Sequence, residues 1–551
     1  MEFSYPWRFD SRRAATMATN GMVATSHPLA ARTGLRVLED GGTAADAAVA
    51  TVAVLNVAEP HMTGIGGDAF ALVHDAGDYA ALNASGGAPA GADVDSYREQ
   101  TDAETADGDP AMPADGGLPV TVPGALDGWA KLVDRYGDRE LGELLRPAIE
   151  YARDGVPVTE YVARQWDHAA GRLRQFDAAA ETFLAGGDAP APGDRFRNLD
   201  LADSFETIAE EGIGALYGGP LGERVVERVR QHGGTLALSD LEAHEGEWTE
   251  PIATTYRGLE VLEHPPNGQG AVALEALNVA EQFDVPGDVD DPDRLHRLVE
   301  AVKVGFADGY EHVTDPDRYD VPLDAMLSKE YAAARTDDVD PTRAGTYGPG
   351  AGQWMAGSRP GTAGAGDETV YLTVVDGDGT AVSLINSVYM SFGSGLAAGG
   401  FALQNRGHSF SLDPAHANSL EPGKRPYHTI IPAMLREDGE FRASWGVMGG
   451  SMQPQGHLQV VANLVDSGLN PQAALDAPRF RWLSGRRVAL ETGRLSDETV
   501  AALRGRGHEV VPEADFFERG GHWGGGQVVV HEDGVLVGGS DPRRDGMAVG
   551  Y

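Results

Sequence analysis

The sequence predicts an α/β (α+β) chain built in layers, and three observations carry that expectation. Segments with apolar residues at helical spacing alternate, from residue 21 to the C-terminal end, with short runs rich in β-branched and aromatic residues. Glycine turns punctuate the alternation. Several of the helical segments carry their own start and stop signals, such as Thr43 as an N-cap and Gly137 and Gly155 as C-caps.

In chain order, GMVATS from Gly21 reads as a strand, followed by two helical stretches, the second starting at Thr43. GIGGD (Gly64 to Asp68) is half of a dinucleotide fingerprint by composition, but the strand-like AFALV follows it where a helix would be needed. It is read as a tight turn. WAKLVDRYG and LGELLRPAIEYARDG are amphipathic helices, as are LADSFETIAEEG, GERVVERVRQHGG and GAVALEALNVAEQF, with RGLEVLEHPP as a strand before the last of these. Leu295 to His312 forms a further helix, on which His296 and Glu300 share a face at i, i+4. With no third ligand close in sequence, that pair is read as a solvated polar face and no metal site is expected. DVDDPD before it lacks the glycine and distal glutamate of a calcium loop and is read as an acidic turn capping the helix. After Asp376, GDG makes a hairpin turn into the strand TAVSLINSVYM; FRASWGVM is a strand, Gly449–Gly450 a turn into a helix, and a hairpin with charged ends closes the chain.

Composition narrows the function. Acidic residues outnumber basic ones 84 to 43, a formal charge of −41 that repels nucleic acid and anionic membranes, so neither is an expected partner. Lysine occurs only at 131, 303, 329 and 424, and the acidic excess is spread along the chain, the pattern of a halophilic surface whose self-repulsion is screened by salt. Thermal unfolding is therefore expected to shift to higher temperature from low to multimolar KCl; an unchanged midpoint would sink the idea. The absence of cysteine removes disulfides, thiolate metal sites and cysteine nucleophiles. Arg12 and Arg13 are followed by no apolar segment of an export signal, and no run approaches the ~18 residues of a membrane span, so a cytoplasmic location is the expectation.

The chemistry centres on GAGDETVYLTVVD, Gly364 to Asp376. Eight glycines fall between Gly345 and Gly366, a composition suited to a connection that is cut, and at Thr369 this run gives way to a β-patterned segment. If the Glu368–Thr369 bond breaks, Thr369 owns a hydroxyl nucleophile and an α-amine whose pKa, roughly 7.7–8.0, suits a general base. An ordinary loop-to-strand junction fits the same stretch. Pairing across the GDG turn brings Thr369 opposite Asn386, Ser387 or Val388. The Gly449–Gly450 turn offers backbone amides at a helix start, a construction that holds an oxyanion. The competing chemistries drop out: no GxSxG elbow, phosphate loop or zinc-protease signature occurs, and Ser394 and Ser451 read as structural. An autoprocessed N-terminal threonine or a binding protein without chemistry remains.

From about Gly21 onward the chain resembles the γ-glutamyltranspeptidases, members of the N-terminal-nucleophile hydrolases. The blocks that carry the resemblance are GMVATSHPLAARTGLRVLEDGGTAADAAVA, AEPHMTGIGGDAF, VPGALDGW, LLRPAIEYARDGVPV, PPNGQG, ETVYLTVVDGDGTAVS, PGKRPYHTIIPAML and GVMGGS. The resemblance implies a four-layer αββα sandwich, autocleavage between Glu368 and Thr369, and a large segment (1–368) and small segment (369–551) interwoven as a heterodimer, with room for a dimer of such pairs. It also implies Thr369 as nucleophile, Ser387 as the hydroxyl that orients it, Gly449 and Gly450 as the oxyanion hole, a small-molecule amide as substrate, acyl transfer through an acyl-enzyme, and no cofactor.

The departures from the family pattern fall on substrate recognition. The processing motif, usually Thr-Thr-His, is Thr369, Val370, Tyr371; the arginine that holds the substrate α-carboxylate is matched by Ser85; the glutamine and aspartate at the α-amino group by Arg406 and Ser409; and the paired serines by His428 and Thr429. Arg406 has no hydrogen-bond acceptor to offer an ammonium but suits a carboxylate. The expected activity is thus cleavage of a γ-glutamyl or related carboxylate-bearing acyl amide. Its alternatives are a glutaryl- or oxamate-type amidohydrolase without transpeptidase activity, and an unprocessed homologue that only binds.

Overall fold

Two seven-stranded antiparallel sheets form the middle of the molecule. The computed structural model describes residues 13–105, 108–350, 367–518 and 521–551. The first sheet runs Met547–Gly550, Met22–Thr25, Asp367–Val375, Ala381–Met390, Asp68–Asp75, Asp78–Ala84, Glu247–Thr249. The second runs Thr16–Ala18, Val535–Ser540, Gly525–Glu532, Glu440–Met448, Ala433–Glu437, Leu259–Glu263, Ile252–Tyr256.

Side-chain alternation along these strands builds the layers. Met22, Ala24 and Leu72 of the first sheet meet Leu262, Met434 and Val529 of the second in a core between the sheets. Their neighbours point outward. Val23, Ala71 and Val374 pack with Ala44–Ala58, Ala125–Tyr136 and Leu141–Asp154, whereas Val261, Leu435 and Val528 pack with Gly270–Glu281, Pro292–His312 and Met452–Val465. The result is the four-layer αββα sandwich that the sequence blocks imply.

Local signals place the elements as expected. Thr43 caps the helix Ala44–Ala58 in a capping box, its hydroxyl accepting from the Asp46 amide at 3.2 Å while the Asp46 carboxylate accepts from the Thr43 amide at 3.0 Å. That helix is buried over its whole length, which explains an apolar pattern that continues around all its faces. Asp291 of the acidic turn caps Pro292–His312, accepting from the amides of Asp293 and Arg294 at 2.7 and 3.1 Å.

One expectation is corrected. His296 and Glu300 do not form a solvated face: both are fully buried, and His508, 212 residues further on, closes against them. The helix is covered there by the C-terminal unit around Arg487–Leu490 and Asp497–Gly505, a contact that helical spacing alone cannot foresee. The four lysines are all at least partly buried and ion-paired, to Asp127 and Glu245, Glu300, Glu281 and Glu421, so exposed positive charge comes from arginine. Among the described residues no helix is long and apolar enough to cross a membrane.

Candidate active site

Thr369 lies on a central strand of the first sheet, and the pairing there is irregular. Glu368 faces Tyr389 and Val370 faces Asn386, so Ser387 and Val388 together oppose the single residue Thr369. This is a β-bulge, a device that re-aims a side chain without ending the strand. The buried Thr369 hydroxyl donates to Ser387 Oγ at 3.2 Å, and Ser387 Oγ also accepts from the Tyr389 amide at 2.8 Å. The expected window for the partner of Thr369 therefore contains the observed one. Residues 351–366, with most of the glycine-rich run, and the Glu368 side chain lie outside the described residues.

On the next strand, Ser387 pairs with Asp68. A Cβ at the preceding Gly67 would sit 2.2 Å from Ser387 O, so only glycine allows this approach. Asp68 Oδ1 accepts from the amides of Gly86 and Gly124 at 3.1 and 3.2 Å and from Gln404 Nε2 at 2.9 Å. Its Oδ2 accepts from His428 Nε2 at 3.0 Å, and His428 Nδ1 in turn accepts from the Ile430 amide at 3.3 Å, which fixes the tautomer. Burial raises the Asp68 carboxyl to about 7 against the opposing pull of Arg406 and its hydrogen bonds, and holds the His428 ring well below its usual range.

Arg406, fully buried, donates to Thr429 Oγ1 at 2.8 Å, and its guanidinium lies 4.1 Å from the centroid of the Tyr389 ring. Tyr389 reaches this position with φ +76°, a left-handed conformation rare for an aromatic residue and of the kind that clusters at functional sites. One residue thus holds the Ser387 hydroxyl with its amide and supports Arg406 with its ring. Ser85 is tied into a network with Asn83 and Asn267, Oγ to Asn83 Oδ1 being 2.7 Å, and Ser409 ends the short turn that begins at Arg406.

The Gly449–Gly450 turn joins this set through contacts between the sheets. Thr373 Oγ1 donates to Ser444 Oγ at 2.7 Å, and a Cβ on Gly446 would lie 2.5 Å from the Tyr371 ring. Gln269 locks the arrangement: its Nε2 donates to Gly450 O at 2.8 Å and to Thr429 O at 2.5 Å. Gly449 has φ +127° and Gly450 φ +54°, immediately ahead of the helix Met452–Val465.

The whole arrangement is a hydroxyl at a bulge, an adjoining serine, a glycine turn at a helix start and a buried guanidinium. A sequence model of the γ-glutamyltranspeptidase family matches residues 30–551. The chain belongs to the γ-glutamyltranspeptidase family. Among its relatives, the glutathione hydrolase-like YwrD proenzyme of Bacillus subtilis is 38% identical over 97% of this chain and 99% of its own length. The oxamate amidohydrolase proenzyme of Klebsiella pneumoniae is 36% identical over 98% of this chain and 100% of its own length. The crystal structure of a cephalosporin acylase from Bacillus halodurans superposes with a TM-score of 0.90 at 42% identity, covering 100% of this chain and 99% of that one.

Within this γ-glutamyltranspeptidase-family chain, hydrogen bonds link Thr369 to Ser387, His428 to Asp68, Arg406 to Thr429, and Gln269 to both Thr429 and Gly450. Sequence reasoning missed Asp68, Tyr389, Gln269 and Gln404. Asp68 had a visible signal, an acid directly behind a glycine turn at the head of an apolar strand. Tyr389 had none, because its role follows from a backbone conformation.

Proposed function

We propose that this protein is an autoprocessed threonine amidohydrolase that cleaves amides whose acyl part carries a carboxylate and no α-amino group. The observation that supports the reading is Thr369 at the bulge, bonded to Ser387, which accepts from the amide of Tyr389, whose ring carries the Arg406 guanidinium 4.1 Å from its centroid. In the uncut chain, Thr369 Oγ1 attacks the Glu368 carbonyl: the C–O bond forms, the C–N bond breaks, and the leaving nitrogen takes up the proton to become an amine. Water then hydrolyses the ester, leaving the Glu368 carboxylate and restoring the Thr369 hydroxyl.

In turnover the same hydroxyl attacks the substrate carbonyl, its proton passing to the Thr369 amine, and the oxyanion forms against the amides of the Gly449–Gly450 turn. The amine product departs with that proton, and water releases the acyl group. Arg406 favours an acyl carboxylate and repels an ammonium. The name of the Klebsiella relative fits this preference, since oxamate is an amide whose acyl group bears a carboxylate and no amine. Small-molecule turnover in the cytoplasm by the paired 1–368 and 369–551 segments belongs to the same reading.

A denaturing gel tests processing: two bands, matching 1–368 and 369–551, are expected, and one intact band would favour a non-catalytic binding protein. Initial rates on glutaryl- and γ-glutamyl-p-nitroanilide test the pocket, with faster glutaryl cleavage expected; a clear preference for the γ-glutamyl compound would overturn this view of Arg406. At Gly449 an added Cβ would meet His522 Cε1 at 2.5 Å in a backbone conformation that L side chains rarely adopt. Gly449→Ala is expected to lower kcat on the order of 10²–10³-fold, the usual effect of losing one oxyanion donor. A kcat within a factor of about three of wild type would remove the turn from the mechanism.

A further inference from the structure

We propose that His296, Glu300 and His508 form a binding site for one divalent first-row transition metal ion of the zinc class, outside the active site. The one ligand atom offered by each residue lies within 4.8 Å of the other two, and all three residues are buried. His296 Nδ1 and His508 Nε2 are 2.8 Å apart, and Glu300 Oε1 is 3.8 Å from His508 Nε2. Two imidazoles and a carboxylate suit zinc and its neighbours, for which metal–ligand distances are about 2.0–2.2 Å. To admit the ion, the two nitrogens need to separate by about 0.5 Å.

The surroundings orient the donors. His296 Nε2 donates to Asp340 O at 2.9 Å, which fixes the tautomer that turns the Nδ1 lone pair inward, the usual outer support of a metal-bound histidine. Glu300 Oε2 accepts from the Gly345 amide at 2.9 Å and from the Tyr347 hydroxyl, leaving Oε1 directed at the histidines. His508 Nδ1 is buried with no hydrogen-bond partner among the described residues, so the ring can carry its proton there while Nε2 binds the ion.

Lys303 is the competitor. Its ammonium lies 2.5 Å from Glu300 Oε1 and 3.1 Å from Gly345 O, filling the place of a cation. The ion displaces it, and the long flexible stem permits that movement. Lys303→Met leaves the buried Glu300 charge uncompensated, so that variant gains most from a metal. His296 and Glu300 precede Thr369 and His508 follows it, so the ion ties together the two segments of the proposed function. The site itself does not depend on that cleavage.

The test uses full-length protein stripped with EDTA, titrated with zinc sulfate and dialysed, with metal content read by mass spectrometry. About one zinc per chain is expected for wild type, with a higher unfolding temperature in zinc. His508→Gln and His296→Gln are expected to bind about 10²-fold more weakly and Lys303→Met about tenfold more tightly. The same zinc content in Thr369→Ala as in wild type would separate this site from the catalytic one. No zinc retained by wild type overturns the proposal, and so does zinc binding unchanged in both histidine variants, which would place the ion elsewhere.

Discussion

Thr369→Ala is expected to yield a single uncut band and to lower amide hydrolysis by on the order of 10⁴-fold or more, since enzymes accelerate their reactions by about 10⁶-fold at least. On the proposed function, the variant removes the oxygen that attacks in both the self-cleavage and the turnover. The fold survives, because among the described residues the side chain contributes one hydroxyl bond, to Ser387, and a small apolar group, together worth about 1–3 kcal/mol. Far-ultraviolet circular dichroism and the unfolding midpoint check this. Thr369→Ser keeps the oxygen and is expected to cut itself, more slowly, because the lost methyl no longer restricts the hydroxyl to one rotamer. A Thr369→Ala protein that still appears as two bands would show that the bond is broken by something other than this hydroxyl.

Arg406→Lys is expected to raise KM for a glutaryl anilide by about 10–10²-fold while leaving cleavage of an uncharged butyryl anilide within a few-fold of wild type. The lysine keeps the positive charge but lacks the planar fork that grips a carboxylate in two places, a loss of about 1.5–3 kcal/mol for bonds to a charged group. The butyryl control matters, because Arg406 also holds Thr429 and stacks on Tyr389. A structural collapse would depress both substrates alike, and that result would reject a role in reading the carboxylate.

The parts of the fold readable from sequence are those governed by neighbours in the chain. The capping box at Thr43, the glycine stops at Gly137 and Gly155 and the hairpin after Asp376 all depend on residues a few positions apart. The sheet layers were readable only through family blocks. Met22–Thr25, Asp68–Asp75 and Ala381–Met390 are buried on both faces, one against helices and the other against the second sheet, so they lack the polar–apolar alternation that would give their orientation. At the site, Thr369 stood out because a glycine run meets a strand there, and the hairpin limited its partner to three candidates. The bulge that selects Ser387 and Val388 depends on hydrogen-bond register, and the turn of Tyr389 on a positive φ, neither of which a residue pattern encodes. Asp68 was visible as an acid at the head of an apolar strand, but the glycines before it account for a turn without assigning the acid a role. His508 was out of reach because a helix records its own faces but not what comes to rest on them.

The order of strands in the first sheet carries one more consequence. Asp367–Val375 is hydrogen-bonded on one side to Met22–Thr25 and on the other to Ala381–Met390, which is followed by Asp68–Asp75, while Met547–Gly550 closes the edge beyond Met22–Thr25. Strands from before and after position 369 are therefore interleaved, and neither portion of a cut chain holds a complete sheet. Such a pair has no dissociation step distinct from unfolding. Its lifetime is governed by an unfolding rate, and diluting the enzyme would not separate its pieces.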